Sequence, residues 1–179
     1  MAPRSVRTED WADLDYSTRR GCALLWQEVW PTDGGIDARL DQMDARHESQ
    51  TAHRVHMLLV DGIVVAVART FLHTVQLGQT PRLVLALASV CSSPHHRGQG
   101  FGDAVAREAL KRTEELGLPA FFQTGVPAFY ERMGSRIIEN EIITSAPNAE
   151  PFHEPWAMIH PGDAEWDDSQ KIDLLAPGW

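Results

Sequence analysis

Val90-Cys91-Ser92-Ser93-Pro94-His95-His96-Arg97-Gly98-Gln99-Gly100-Phe101-Gly102 runs from the end of an apolar, strand-like segment into a glycine-rich turn and then directly into a helical pattern. Gly98, Gly100 and Gly102 strip the turn of side chains at alternate positions, so backbone N–H groups can close on a ligand. The helix start behind the turn adds unpaired N–H groups and the positive end of its dipole. Arg97 adds a permanent cation. This combination suits a phosphate. Two familiar phosphate loops fit poorly. A nucleoside-triphosphate loop needs Gly-Lys-Ser/Thr at its end, where this chain has Gly100-Phe101-Gly102; in G-x-G-x-x-G counted from Gly98 the third glycine position falls on Asp103.

The pattern Arg/Gln-x-x-Gly-x-Gly/Ala fits at every position, with Arg97, Gly100 and Gly102 as the fixed residues. In this the chain resembles the GCN5-related N-acetyltransferases (GNAT), a superfamily of acyl-CoA-dependent acyltransferases. A second segment, Pro127-Ala128-Phe129-Tyr130-Glu131-Arg132-Met133-Gly134, is similar to the family's A-x-x-F/x-Y-E-x-x-G-F helix. The resemblance implies an α/β (α+β) fold, with a mixed, mostly antiparallel central sheet flanked by helices. It implies acetyl-CoA as co-substrate, with its pyrophosphate on Arg97, Gly98, Gln99, Gly100, Phe101 and Gly102. The pantetheine would dock on the backbone of Val90, Cys91 and Ser92, and Phe129 would contact the cofactor. Tyr130 would sit near the sulfur and protonate the leaving thiolate. The resemblance covers residues 50–140 well and the flanks, 1–49 and 146–179, poorly. The whole, 1–179, reads as one domain whose flanks build the acceptor site.

The 179 residues are 43% hydrophobic and 23% charged, ordinary for a globular protein. No apolar run reaches membrane-spanning length, the start lacks the apolar core of a signal peptide, and the two cysteines, Cys22 and Cys91, lie far apart. The expectation is a cytoplasmic protein without membrane contact. The eight histidines form no His-x-x-x-His pair or Cys/His cluster, so no metal is expected. The net charge of −9 argues against a nucleic-acid partner. Dimers are common in the family, which allows a homodimer by analogy only.

Along the chain, 12–30 reads as a helix ended by Pro31, and Ile36 to His47 as a second helix. Val55–Val60, Asp61-Gly62 and Ile63–Val67 read as a β-hairpin, its second strand running on to about Val75. Leu83–Val90 is a strand apolar enough to be covered on both faces. A helix is expected over Gln99–Leu116, then a strand over Ala120–Gln123, a short helix over Val126–Met133 and a strand over Arg136–Ile143. Trp156–Ile159 reads as one more strand.

The favoured acceptor is a primary amine, acetylated by direct transfer. An alkylammonium of pKa about 10.4 is neutral only about once in a few thousand molecules at pH 7, so the site must remove a proton. No carboxylate occupies Leu83–Ser92, where many family members place a base; Ala88 and Ser89 stand there, and Glu28, Asp33 or His73 acting through water remain open. Cys91 reads as a packed strand residue rather than a nucleophile. Residues 1–50 sum to −4, 51–145 to +1 and 146–179 to −6, and all six tryptophans lie in the flanks. An acidic, Trp-rich surround suits a cationic acceptor, with Trp26, Trp30, Asp33 and Trp179 as candidate contacts. Leu14–Arg20 and the closing Ile172–Trp179 resemble the ends of the aminoglycoside 2′-N-acetyltransferase branch, without that branch's strand Glu. A non-catalytic acyl-CoA sensor is the reading from another class.

Overall fold

The computed structural model describes residues 5–147 and 155–176. The chain divides into two compact units, Met1–Phe71 with Leu87–Ala109, and Leu72–Ala86 with Leu110–Trp179.

The first unit starts with β1 (Val6–Glu9) and a 3₁₀ turn at Trp11–Asp13. Asp15 then caps α1 (Tyr16–Val29) by accepting the Thr18 N–H at 2.9 Å, which is why the helix begins four residues later than its apolar pattern suggests. Thr18, Cys22, Leu25 and Trp26 form the buried stripe of α1. Gly34, at φ +85°, precedes α2 (Gly35–Ser49); a Cβ there would come within 2.7 Å of the Ala38 Cβ, so the turn excludes a side chain. β2 (Thr51–Val60) turns at Asp61-Gly62, both at positive φ, into β3 (Ile63–Leu77), the Asp-Gly hairpin expected from sequence. β3 lies between β2 and β4 (Thr80–Ser92), and β1 pairs antiparallel with β2, Val6 opposite Leu58. Trp11, Trp26, Met43, Val55, Met57, Val67 and Cys91 form the core of this unit. β4 leads through a 3₁₀ turn (Pro94–His96) into α3 (Phe101–Leu116), whose first half belongs to this unit.

In the second unit α3 ends at Gly117, φ +64°, followed by β5 (Ala120–Thr124), α4 (Pro127–Glu131), β6 (Arg136–Ile138), β7 (Ile142–Ile143), β8 (Trp156–His160) and β9 (Ile172–Asp173). β5 runs parallel to β4, with Leu85 opposite Ala120; β8 lies antiparallel between β5 and β6. β9 pairs antiparallel with the end of β3 and parallel with β7. Phe121, Ile138, Ile159, Ile172 and Leu174 are buried together.

The strand expected over Arg136–Ile143 is broken. Asn140, only 9% exposed, donates to the carbonyls of Asp167 and Gln170 and accepts from the Trp166 indole N–H. Those three bonds hold the chain out of the ladder at the one polar residue able to make them all. The unexpected strands β1 and β9 are short, and their apolar residues are too few for a period to show.

Candidate active site

Beyond β4, Ser93 is buried and donates its N–H to the Val65 carbonyl at 2.8 Å, which anchors the start of the turn. Its hydroxyl accepts the His95 N–H at 3.3 Å. Arg97 is exposed, and Gly98 and Gly100 both adopt φ +75°. A Cβ added at either glycine would meet no atom within 4 Å. The glycines are therefore required by the backbone, and the space outside them is open for an approaching group. At Gly102 a Cβ would make ordinary contact with Ser92 Oγ at 3.6 Å, so internal packing does not demand glycine there either. Helical hydrogen bonding begins at Gly100, whose carbonyl accepts from the Ala104 N–H at 3.0 Å. The Phe101 ring is buried and anchors α3, so what Phe101 offers the turn is its backbone.

β4 leaves regular geometry at Ser89, which has φ +52°. The Ser89 carbonyl accepts from the Trp26 indole at 3.2 Å, and its hydroxyl accepts from Arg69 Nε at 3.2 Å. Val90 and Ser92 are half-buried; Cys91 is buried, and burial pushes its thiol pKa up, with Cys22 and Glu28 adding to the shift. A thiol held protonated is a poor nucleophile, in keeping with a packing role.

The acceptor candidates scatter. Trp26 is 2% exposed inside the core, so it packs and bonds Ser89 rather than facing a substrate. Trp11 is equally buried, and its indole donates to Asp44. Trp166 stacks on Phe121. Half of the expected aromatic surround is thus structural. Trp30 and Asp33 are exposed; Trp179 lies outside the described residues. Glu28 pairs with His95 at 3.2 Å beside a cavity of about 530 Å³ that Arg20, Leu24 and Ile63 also line. His73 bonds the Leu174 carbonyl at 2.7 Å. In the second unit Tyr130 is 6% exposed, its ring centroid 4.6 Å from that of Phe122 and 4.9 Å from that of Phe129. Its carbonyl accepts the N–H groups of Met133 and Ser135, which fixes the end of α4. Among the described residues no group of three or more His, Cys, Asp or Glu could hold a metal, and no helix is long and apolar enough to cross a membrane.

A cationic cluster escaped the sequence reading. Arg69 on β3 is fully buried. It donates to Ser89 and, at 3.2 Å, to Gln50, and approaches His53 at 3.5 Å; its Nη2 is buried without a hydrogen-bond partner among the described residues. Arg39 on α2, 9% exposed, donates to Gln42 and to the Trp30 carbonyl, and its Nε is likewise unpartnered. Burial, then Arg46 and Arg39, pull the Arg69 guanidinium down to about 9, so it stays charged at neutral pH. The signal available was a lone Arg inside the apolar run of β3, where a buried charge costs several kcal/mol if unpaired.

His53, in contact with this cluster, is pushed down to about 3 by burial first, then by Arg69 and His47. The unfolded chain takes that proton near pH 6.5, the native state only far lower. Unfolding free energy should therefore fall as pH drops from about 6.5 toward about 3, by up to about 1.4 kcal/mol per pH unit for this one group. Urea titrations at pH 7, 6 and 5 should show the decline, and His53→Asn should make it shallower; an equal slope would remove His53 as its source.

A family model for the acetyltransferase (GNAT) domain matches residues 14–138. The chain belongs to the GNAT acetyltransferases. Among solved structures, a GNAT family N-acetyltransferase (YhbS) from Escherichia coli in complex with CoA is 16% identical with a TM-score of 0.63, covering 97% of this chain and 91% of that one. A putative acetyltransferase from Agrobacterium tumefaciens is 22% identical with a TM-score of 0.57, over 83% and 97%. A GCN5-related N-acetyltransferase from Kribbella flavida is 19% identical with a TM-score of 0.57, over 75% of this chain but 33% of its own length. A probable N-acyltransferase from Enterococcus faecalis is likewise matched over only 32% of its length. At these identities the likeness is one of fold, the mixed sheet flanked by helices of the GNAT acyl-CoA N-acyltransferases.

Proposed function

We propose that this acetyltransferase moves an acetyl group from acetyl-CoA directly to a primary amine of a small acceptor. One observation carries the reading: a turn with Gly98 and Gly100 at φ +75°, open on its outer side, feeding a 16-residue helix. The pyrophosphate lies on the backbone N–H groups of Arg97 to Gly102, with the α3 dipole and Arg97 opposing its charge. The pantetheine amides pair with the backbone of Val90, Cys91 and Ser92, next to the irregular Ser89. One N–H there polarises the thioester carbonyl and then holds the tetrahedral oxyanion. The neutral amine attacks the carbonyl carbon, the C–S bond breaks, and Tyr130 gives its proton to the thiolate. The amine loses its own proton to water or to a group reached through water.

The absence of a carboxylate on Leu83–Ser92 favours a second reading, an acyl-CoA sensor without acceptor chemistry. Calorimetry with acetyl-CoA and a thiol-release assay over a broad amine panel divide the two. Transfer predicts saturable binding and amine-dependent thiol release. Binding without release for any amine means a sensor, and no binding at all ends both readings.

A further inference from the structure

We propose that the amine acceptor carries an anionic group, a carboxylate or a phosphate, held beside Ser89 by Arg69, Arg39 and Arg46. This rests on the acetyl-transfer reading, and it reverses the sign of acceptor that the acidic flanks suggest.

Arg69 on β3 and Arg39 and Arg46 on α2 lie close enough to act on one another, and among the described residues no carboxylate forms an ion pair with any of the three. The influences on Arg69 beyond burial are Arg46 and Arg39, both repulsive; that on Arg46 is Arg39. The carboxylate that does act on neighbouring His53, Asp10, is already engaged by Arg54, His47 and the Ala12 N–H. The partners the arginines do have, Ser89, Gln50, Gln42 and the Trp30 carbonyl, are neutral. The Phe71 ring, 5.9 Å from the Arg69 guanidinium carbon, softens the charge without cancelling it. Two buried N–H donors, Arg69 Nη2 and Arg39 Nε, have no hydrogen-bond partner among the described residues. A planar fork with a free donor is the usual partner of carboxylate or phosphate oxygens.

The place matters as much as the charge. Arg69 Nε bonds the hydroxyl of Ser89, the residue directly before the backbone assigned to the thioester. Ser89, Gln50 and Arg46 are half-buried, so the cluster has an outlet to solvent at these residues. An anion anchored here would leave an amine on the same small molecule within reach of Val90. The net charge of −9 does not oppose this. Charges more than about 8 Å away are screened at physiological salt, whereas buried guanidinium groups are not.

The test is thiol release from acetyl-CoA with paired amines: glycine, other α-amino acids, β-alanine and 4-aminobutanoate against their carboxamides; O-phosphoethanolamine against ethanolamine; and spermidine and an aminoglycoside as polycations. At least one anionic amine should exceed its neutral partner in kcat/KM by about 100-fold or more, because the neutral partner leaves buried donors unpaired. Whether the carboxylates or the phosphate lead identifies the anion. Arg46→Gln, at a half-buried position, should cut that ratio at least tenfold with the acetyl-CoA KM unaltered. Melting temperature with the same amines and no CoA gives an independent readout. A rise with an anionic amine, lost in Arg46→Gln, keeps the anion site even if no thiol is released and the transfer reading fails. Neutral amines or polycations acetylated as well as the anionic ones, or neither discrimination nor a melting shift, would overturn the proposal.

Discussion

Gly100→Val should weaken acetyl-CoA binding by at least about 100-fold, with only a modest fall in melting temperature. Gly100 has φ +75°, and nothing lies within 4 Å of the Cβ position. Packing therefore accepts the side chain, and the penalty is the left-handed backbone itself, about 1–2 kcal/mol for a residue with a Cβ and more for a branched one. The chain can escape that strain by rotating the peptides on either side, which turns their N–H groups away from the phosphates. If it does not rotate, the isopropyl group occupies the open side where the pyrophosphate must approach. A 100-fold loss is about 2.7 kcal/mol, little more than one charge-assisted hydrogen bond, and the turn is assigned several. Gly117→Val is the control. Gly117 has φ +64° and equally open surroundings, at the far end of α3. It should lower the melting temperature with acetyl-CoA affinity retained. Calorimetry on both variants decides: a Gly100→Val protein that binds like the parent removes the turn from cofactor recognition.

What could be read from the sequence was whatever local chemistry fixes. Asp61-Gly62 had to turn, Pro31 had to end α1, and Gly117 had to stop α3, because each acts within two or three residues of itself. The glycine turn belongs to the same class: Gly98 and Gly100 both take the positive φ that the motif implies, and the family read from it is the one whose model matches the chain. Features set by distant partners were not legible. Asn140 interrupts a strand through bonds to residues 26 to 30 positions away. Trp26 serves the core because Ser89, 63 residues on, accepts its N–H. Ile172 and Leu174, near the end of the chain, are buried against β3 and β7 residues, partners about 30 and 100 positions away on which no local pattern bears.

Charge shows the same division most clearly. Composition by segment places acids in both flanks, and a cationic acceptor follows if those charges surround the site. Folding instead brings Arg39 and Arg46, from the acidic residues 1–50, to Arg69 from the near-neutral middle. A sum over a segment cannot anticipate this, since a buried ion acts over a few ångströms and exposed ones are screened beyond about 8 Å. In the proposed anion site, local sign therefore outweighs net sign in choosing the acceptor.

Tyr130→Phe should keep acetyl-CoA affinity and lose turnover by about 10²- to 10⁴-fold, and by no less than about tenfold. Phenylalanine fills the same space between Phe122 and Phe129, so the ring contacts at 4.6 and 4.9 Å survive, as do the backbone bonds that close α4. Only the hydroxyl is removed. Loss of its hydrogen bonding costs about 1 kcal/mol of stability, too little to unfold the protein. The barrier rises by about 3–5 kcal/mol if the CoA thiolate must leave without an acid. The acetyl-CoA KM and the calorimetric Kd should stay near their original values, because the turn between Arg97 and Gly102 is untouched. A fall in kcat with a constant Kd assigns proton donation to the hydroxyl; a fall in melting temperature with kcat unchanged would give the hydroxyl a structural hydrogen bond only and leave the thiolate to be protonated by water.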